Sequence, residues 1–205
     1  MTLPKVLLFD LGGVIVRWTG LDALAKMTGI TREEVVEKFG RSSVFSDYEI
    51  GLCDDETFIQ ALISEFGLKV SPERAKTLWQ EWVGQTYAGT KEALSALRAD
   101  YTVACLSNTN ALHWAWLPRH IVIEDYFDYG FASHLIEAAK PDAISYQICV
   151  EKLGVSSSDI WFFDDTLVNV EAAATLGMRA FHVDRAVGAV PLLRELNLIK
   201  SRDIT

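Results

Sequence analysis

Short apolar runs alternate with segments of helical periodicity along this chain. The first run, residues 5–10, is apolar between its charged ends, contains no Gly or Pro and is too short for a buried helix, so it predicts a strand. Similar runs predict four more strands, at 101–106, 130–132, 160–163 and 179–183. The spacing of apolar residues between them predicts helices at 90–98, 143–153 and 168–176. Strands that alternate with helices predict an α/β fold, with a parallel sheet covered by helices on both faces.

The segment between the first strand and residue 86 has a different pattern. From residue 21 onward apolar residues recur at helical spacing, and strand signals are absent. Thr31 and Glu34 have the spacing of a capping box, which begins one helix. Asp54 is placed to begin a second helix and Pro72 a third. The pattern therefore predicts a small all-helical cap inserted after the first strand. The predicted domains are a core, residues 1–16 and 87–205, and a cap, residues 17–86.

Composition limits the class of protein and its partners. The chain has 205 residues, of which 50% are hydrophobic, enough for one large core with a smaller insertion. The net charge of −9 argues against nucleic acid or an anionic membrane as the main partner. The three cysteines show neither zinc spacing nor a redox pair, and no export signal is recognisable. These features predict reduced cysteines, a cytoplasmic location and a small-molecule partner, and they leave the oligomeric state open.

A carboxylate ends the first predicted strand. Asp10 closes the apolar run, and Gly12 and Gly13 follow it. Burying a carboxylate in an apolar run is costly unless it is paired or bound to a metal. At the carboxyl end of a parallel strand, however, it faces the crevice in which α/β proteins bind ligands, and the glycines allow a sharp turn. Asp10 is therefore a candidate nucleophile or metal ligand, with helix capping as the alternative.

Candidate phosphate-binding residues follow in two later segments. Ser107 and Asn108 come directly after the second strand. A hydroxyl and free backbone N–H groups at a strand-to-helix turn can bind an anion, and a simple N-cap is the alternative. Lys140 precedes a predicted helix. It is either an ordinary surface charge or a cation that balances a phosphate and Asp10.

Two adjacent carboxylates, Asp164 and Asp165, follow the strand at 160–163. Neighbouring carboxylates repel each other unless a cation lies beside them. Oxygen ligands with few other protein donors suit Mg²⁺, which binds alongside phosphate. Helix capping would use one aspartate, so the pair predicts a metal site.

The order of these motifs closely resembles that of the haloacid dehalogenase-like (HAD) hydrolase superfamily. The superfamily's four motifs are matched, in order and over essentially the whole chain, at residues 9–14, 106–108, 140–141 and 163–165. The resemblance implies a Rossmann-like sheet and a helical insertion of the C1 cap type. Glu49, with the two residues after it, is similar to the cap loop of a branch of small bacterial sugar-phosphate phosphatases. Residues 107–110, with His113 behind them, also resemble that branch.

The resemblance implies a reaction and a role for each motif. Asp10 would attack phosphorus to form an aspartyl-phosphate, which water then hydrolyses. The substrate would be a small phosphorylated metabolite such as a sugar phosphate. The phosphoryl oxygens would be held by Ser107, Asn108 and Lys140. Mg²⁺ would be held by Asp10, the carbonyl of Gly12, Asp164 and Asp165.

Gly12 departs from the pattern of most phosphatases of this superfamily. They carry at this position an aspartate that protonates the leaving group and later activates water. General acid–base catalysis contributes about 10²–10⁴-fold, so its loss predicts a preference for good leaving groups, as in anomeric sugar, aryl or acyl phosphates. Alternatively, Glu49 or His113 supplies the acid. Arg17 and Trp18, where the chain enters the cap, are further candidates for substrate contact.

Two other functions remain open. The 2-haloacid dehalogenases of the superfamily also lack the second aspartate, work without Mg²⁺ and carry an arginine soon after the nucleophile, for which Arg17 is a candidate. The second alternative is a phosphate-binding or interaction module without catalysis. Trp114 and Trp116 would then mark its interface. The acidic pair, which would lack its cation in a dehalogenase, and the full set of motif residues favour the phosphatase.

Overall fold

A five-stranded parallel sheet forms the centre of the computed structural model, which describes residues 3–200. The strands are β1 (Val6–Phe9), β2 (Val16–Trp18), β3 (Val83–Thr86), β4 (Thr102–Ser107), β5 (Tyr129–Ala132), β6 (Ile160–Asp164) and β7 (Arg179–His182). The order in the sheet is β5-β4-β1-β6-β7, and every neighbouring pair is parallel. The predicted parallel sheet is confirmed, with β1 at its centre.

Helices fill most of the remaining described chain. They are α1 (Gly20–Thr28), α2 (Arg32–Arg41), α3 (Ser43–Glu49), α4 (Asp55–Phe66), α5 (Pro72–Glu81), α6 (Thr90–Leu97), α7 (Ala111–Trp116), α8 (Ile123–Tyr126), α9 (Ser133–Ile136), α10 (Ala143–Leu153), α11 (Leu167–Thr175) and α12 (Ala189–Glu195), with 3₁₀ turns at Leu117–Arg119 and Ser157–Asp159. Helices α7, α8, α9 and α12 were not predicted, because 4 to 7 residues are too few to show a periodicity. Within residues 3–200, none of the helices has the length and apolar character that crossing a membrane requires.

Both faces of the sheet are covered, because successive residues of a strand point to opposite sides. Leu7 and Phe9 of β1 belong to one apolar cluster, and Val6 and Leu8 belong to another. The first cluster includes buried residues of α6 and α12, and the second includes buried residues of α10 and α11. The predicted helical layers on both faces are confirmed.

Helices α1–α5 pack around an apolar cluster of their own, rich in aromatic side chains. Thr31 and Glu34 form the predicted capping box at the start of α2. Asp54 caps α4, and Pro72 is the first residue of α5, so the three predicted helix starts are confirmed. Leu112 of α7 also belongs to this cluster and links it to the second motif loop.

A short antiparallel ribbon closes this helical segment. β2 pairs with β3 through Val16 opposite Thr86 and Trp18 opposite Val83. The expectation that strand signals are absent between residues 21 and 86, and hence that the cap is all-helical, is wrong at β3. β3 contains a single strongly apolar residue and shows no alternation, so pairing with β2 rather than local propensity makes it a strand. The division into a core (1–16 and 87–205) and a cap (17–86) stays a prediction.

Candidate active site

Three polar side chains lie at the carboxyl edge of the sheet, directly at the ends of its central strands. Asp10 follows β1, Ser107 ends β4 and Asp164 ends β6. The backbone N–H of Asp10 donates to the Phe163 carbonyl at 2.8 Å, which continues the pairing of β1 with β6 up to the site. In open α/β sheets this edge is where ligands bind.

A cavity of about 460 Å³ opens at this edge, a size typical of small-molecule sites. Most of the residues predicted from the sequence line it: Asp10, Gly12, Trp18, Glu49, Ser107, Asn108, His113, Lys140 and Asp165. Asp164 is fully buried and is not part of the lining. Arg17 is exposed and lies outside it, with its guanidinium 4.5 Å from the centre of the Tyr87 ring.

Lys140 joins two of the candidate carboxylates. Its Nζ lies 2.8 Å from Oδ1 of Asp10 and 2.6 Å from Oδ2 of Asp164, and its side chain is buried. Burial alone would lower the pKa of Lys140, but the two carboxylates outweigh that effect and hold the pKa above its ordinary value. Lys140 is therefore a buried cation, and the reading as a surface charge does not fit the structure.

Asp10 sits in an environment that disfavours its charge unless cations lie nearby. Burial raises the pKa of Asp10 to about 7, and the Asp164 carboxylate adds to this, whereas Lys140 lowers it. Asp164 is held from the other side, because it accepts hydrogen bonds from the Thr166 N–H at 2.8 Å and from the Asn169 side-chain amide at 3.1 Å. The Lys140 contact and these hydrogen bonds therefore fix the orientation of the Asp10 and Asp164 carboxylates.

Asp165 packs against the glycine turn that follows Asp10. Gly13 has φ +84°, and a Cβ built on it would lie 2.4 Å from Oδ2 of Asp165. Burial and the Asp164 carboxylate raise the pKa of Asp165, and Arg185, whose Nε lies 3.7 Å from Oδ2, opposes this. One carboxylate oxygen from each of Asp10, Asp164 and Asp165 lies within 4.8 Å of the others. The absence of a side chain at Gly13 thus makes room for a cluster of three carboxylates.

Asn108 fastens the second motif loop to the third. Its side-chain amide donates to the Lys140 carbonyl at 2.8 Å, and its Oδ1 accepts from the Lys140 N–H at 2.8 Å. Ser107 precedes it and lines the same cavity. The two loops that would hold a phosphoryl group are therefore fixed to each other by side chain and backbone.

Comparison with known proteins agrees with this arrangement. The family model described as haloacid dehalogenase-like hydrolase matches residues 4–177. The chain belongs to the haloacid dehalogenase-like hydrolase family. It is 33% identical over 198 residues to phosphatase MT3486 of Mycobacterium tuberculosis, covering 89% of this chain and 88% of that protein. It is 26% identical over 186 residues to a D-ribitol-5-phosphate phosphatase of Bacteroides thetaiotaomicron, covering 86% of this chain and 90% of that protein.

A solved structure extends the similarity to the whole HAD-like fold. The HAD family enzyme bt-2542 of Bacteroides thetaiotaomicron, in complex with magnesium and inorganic phosphate, has a TM-score of 0.78 at 26% identity. The superposition covers 93% of this chain and 100% of that one. The chain is thus a HAD-like hydrolase, and these two relatives are named as phosphatases.

Glu49, the last residue of α3, brings a further carboxylate to the cavity of this HAD-like hydrolase. Its Oε2 lies 3.5 Å from Nδ2 of Asn108. Burial raises the pKa of Glu49 to about 7, although the Lys140 ammonium opposes this. The structure therefore places Glu49 beside the predicted phosphate-binding loop, as a carboxyl group that is partly protonated near neutral pH.

His113 lines the cavity but is bonded to the protein through both ring nitrogens. Nδ1 lies 3.3 Å from the Asn110 amide nitrogen and Nε2 lies 2.8 Å from the Trp79 carbonyl. Burial lowers the pKa of His113 to about 4. Trp18 also lines the cavity, and its indole Nε1 is buried without a hydrogen-bond partner within residues 3–200. His113 therefore has no ring nitrogen left for a ligand, and the Trp18 Nε1 lies on the indole edge that packs against Gly20.

Sequence reasoning missed two residues of the site. Arg185 lines the cavity and approaches Asp165; its position shortly after β7, at the carboxyl edge, was a usable signal. Ser133 is fully buried, and its hydroxyl lies 2.6 Å from the Glu49 carbonyl and 2.8 Å from the Thr109 carbonyl. No sequence signal marks Ser133, because its role depends on how α3 packs against α9.

Proposed function

We propose that this chain is a Mg²⁺-dependent phosphatase that hydrolyses a small phosphorylated metabolite through an aspartyl-phosphate on Asp10. The observation that carries the proposal is the buried Lys140 between Asp10 and Asp164, within a cluster of three carboxylates at the edge where ligands bind. Such a cluster suits a cation and an anionic substrate together. Relatives named as phosphatases support the same reaction class.

The donor set fits Mg²⁺. Asp10, Asp164 and Asp165 offer close carboxylate oxygens, and the side chain missing at Gly13 leaves the Asp165 carboxylate room to join them. We therefore propose that these aspartates, with the carbonyl of Gly12, hold the ion. Asp164 either binds the ion directly or supports the groups that bind it. When bound, Mg²⁺ supplies positive charge that neutralises the phosphoryl oxygens. A magnesium complex of the similar enzyme bt-2542 supports this assignment.

The chain's own residues divide the remaining chemistry. A carboxylate oxygen of Asp10 forms the bond to phosphorus as the bond to the leaving oxygen breaks, and water later displaces Asp10 from phosphorus. Ser107, the Asn108 N–H and Lys140 hold the three phosphoryl oxygens as charge spreads over them. Because Asn108 and Lys140 are bonded to each other, this cradle is preorganised.

A sugar phosphate is the substrate class that we propose first. The cavity has the volume of a small-molecule site, and polar groups such as Glu49 and Arg32 line its cap side. The similar D-ribitol-5-phosphate phosphatase supports a sugar or polyol phosphate. Under this proposal, Trp18, which lines the cavity, contacts the substrate beyond its phosphate.

An apolar or aromatic phosphate ester is a second candidate, favoured by the rings that line the cap side of the cavity. Phe39, Phe45, Tyr48, Phe58 and Trp79 all contribute to the lining. Their rings would pack on an aromatic or branched apolar alcohol. A substrate panel that pairs polyol phosphates with benzyl and prenyl phosphates separates the two candidates by their kcat/KM values.

Hydrolysis of p-nitrophenyl phosphate tests the function itself. We expect activity that needs Mg²⁺, disappears in EDTA and falls at least ~10³-fold in Asp10→Asn, because the amide cannot replace the attacking carboxylate. Asp100→Asn, an exposed aspartate outside the cavity lining, is the matched control and should retain full activity. Folded, Mg²⁺-loaded protein without activity would contradict the proposal, and turnover of 2-chloropropionate without Mg²⁺ would favour the dehalogenase alternative.

A further inference from the structure

The proposed reaction needs a proton donor that Gly12 cannot supply. The other titratable groups of the cavity are mostly committed. Asp10 is the proposed nucleophile, and Asp165 belongs to the carboxylate cluster. Lys140 is bonded to two carboxylates, and His113 is bonded through both nitrogens. Glu49 is the carboxyl group of the lining that none of these interactions uses.

Glu49 lies beside the loops that would hold a phosphoryl group. Its Oε2 is 3.5 Å from Nδ2 of Asn108, and Asn108 is bonded to Lys140, which contacts Asp10. A phosphoryl group held by the second and third motif loops would therefore have Glu49 at its side. Because Glu49 belongs to the cap helix α3, it lines the cavity from the cap side, where the rest of a substrate would lie.

The backbone around Glu49 is fixed to the core at two points. The Ser133 hydroxyl lies 2.6 Å from the Glu49 carbonyl and accepts a hydrogen bond from the Thr109 N–H at 2.9 Å. Gly51 has φ +80°, and a Cβ built on it would lie 2.4 Å from the His134 carbonyl oxygen, so only glycine allows this approach. The cap turn thus holds Glu49 at a set distance from the phosphate-binding loop.

We propose that Glu49 is the general acid and base of this enzyme, in place of the side chain that Gly12 lacks. The inference rests on the proposed phosphatase function. In the first step the Glu49 carboxyl gives its proton to the leaving oxygen as the bond from that oxygen to phosphorus breaks. In the second step the Glu49 carboxylate takes a proton from water as the water oxygen bonds to phosphorus and Asp10 leaves. Glu49 is then protonated again, and the products are the alcohol and phosphate.

The environment of Glu49 suits both steps. Burial raises its pKa to about 7, against the effect of Lys140, so both protonation states are populated near neutral pH. Efficient acid–base catalysis needs such a match between pKa and working pH. A carboxylate that only bound substrate hydroxyls would have no use for the protonated form.

A series of esters with different leaving groups tests the proposal. Because kcat/KM reports only the first step, we expect Glu49→Gln to lower kcat/KM at least ~100-fold for benzyl phosphate, whose alkoxide leaves poorly, and less than ~3-fold for p-nitrophenyl phosphate, whose leaving group needs no proton. Phenyl phosphate should fall between them. Where hydrolysis of the aspartyl-phosphate limits turnover, kcat should fall equally for all three esters, because the amide cannot take a proton from water. Glu56→Gln, at an exposed position of α4 outside the cavity lining, is the matched control and should behave as wild type on all three esters.

A second variant separates an acid from a positioning role. A Cβ at Gly12 would meet only the Trp18 Cβ within 4 Å, at an ordinary 3.6 Å, so Gly12→Asp should be tolerated. In the Glu49→Gln background we expect Gly12→Asp to raise kcat/KM for benzyl phosphate at least ~10-fold above that of Glu49→Gln alone. A folded double variant without recovery would count against the acid role.

Other outcomes also decide the question. An equal loss of kcat/KM on all three esters, or an unchanged kcat/KM for benzyl phosphate in Glu49→Gln, would each overturn the proposal. Wild-type protein that hydrolyses none of the esters would instead overturn the proposed function on which it rests. The wild-type rates therefore distinguish the two failures.

Discussion

Gly13 shows at the scale of a single residue how the site makes room for its carboxylates. A residue with a side chain at φ +84° is strained, and its Cβ would lie 2.4 Å from Asp165. We expect Gly13→Ala to lower the free energy of unfolding by about 1–3 kcal/mol and to displace the Asp165 carboxylate. Mg²⁺ binding should weaken as a result, measured by titration of Mg²⁺ against activity and against the melting temperature.

Gly40 is the matched control for this substitution. It is exposed within α2, and a Cβ there would meet nothing within 4 Å. Gly40→Ala should therefore stabilise the protein by up to about 1 kcal/mol, with no change in Mg²⁺ binding. A Gly13→Ala protein with unchanged stability and Mg²⁺ affinity would show that Asp165 does not depend on the glycine turn.

The sequence allows some site residues to be placed but not others, for a geometric reason. Asp10, Ser107 and Asp164 end neighbouring parallel strands, so their meeting at one edge follows from the strand pattern alone. Glu49 belongs to a separate helical segment, and its 3.5 Å distance to Asn108 depends on how that segment packs. Its identity as a candidate came from resemblance, and its environment came from the structure.

Ser133 connects two elements, the end of α3 and the loop after β4. Its buried hydroxyl lies within hydrogen-bond distance of the Glu49 carbonyl and of the Thr109 N–H and carbonyl. Ser133→Ala would leave the Thr109 N–H without this acceptor, which we expect to cost about 1–3 kcal/mol of unfolding free energy in urea titrations. The turn that carries Glu49 should also loosen, so kcat/KM should fall more for benzyl phosphate than for p-nitrophenyl phosphate.

Ser64→Ala is the control for this prediction, since Ser64 is exposed within the helix α4. It should leave the unfolding free energy within about 0.5 kcal/mol of wild type. A Ser133→Ala protein that is destabilised yet loses activity equally on both esters would show that Ser133 supports the fold but does not position Glu49.

At the scale of elements, long periodic segments were predictable and short paired ones were not. α4 and α10 combine a cap signal with about three turns of apolar spacing, so their bounds follow from the sequence. β3 has four residues and exists because β2 lies beside it, a contact between chain positions 16 and 86. The local sequence pattern of β3 does not indicate such a pairing.

The described residues form three apolar clusters, and two of them meet at α7. One cluster covers one face of the sheet and has Trp114 of α7 packed against it, and the other joins α1–α5 with Leu112 of α7. His113, the next residue, stacks on Trp79 of α5 with ring centres 4.6 Å apart and bonds to its carbonyl. A buried histidine therefore lies at the junction, which ties the stability of the whole molecule to pH.

The sign of that dependence follows from the pKa of His113. Burial lowers it from an ordinary 6.5 to about 4, so between these values the unfolded chain binds a proton that the folded chain does not. Stability should therefore fall as pH drops from about 6.5 to about 4, with this residue accounting for about 2–3 kcal/mol at pH 4.5. His113→Gln removes the titrating group, so the variant should be less stable than wild type at pH 7 but lose less on acidification. Urea unfolding at pH 7 and 4.5 measures both differences. If acidification to pH 4.5 lowers the unfolding free energy equally in both proteins, His113 takes up a proton in the folded state as readily as in the unfolded chain. Its hydrogen bond to the Trp79 carbonyl would then not require a neutral ring.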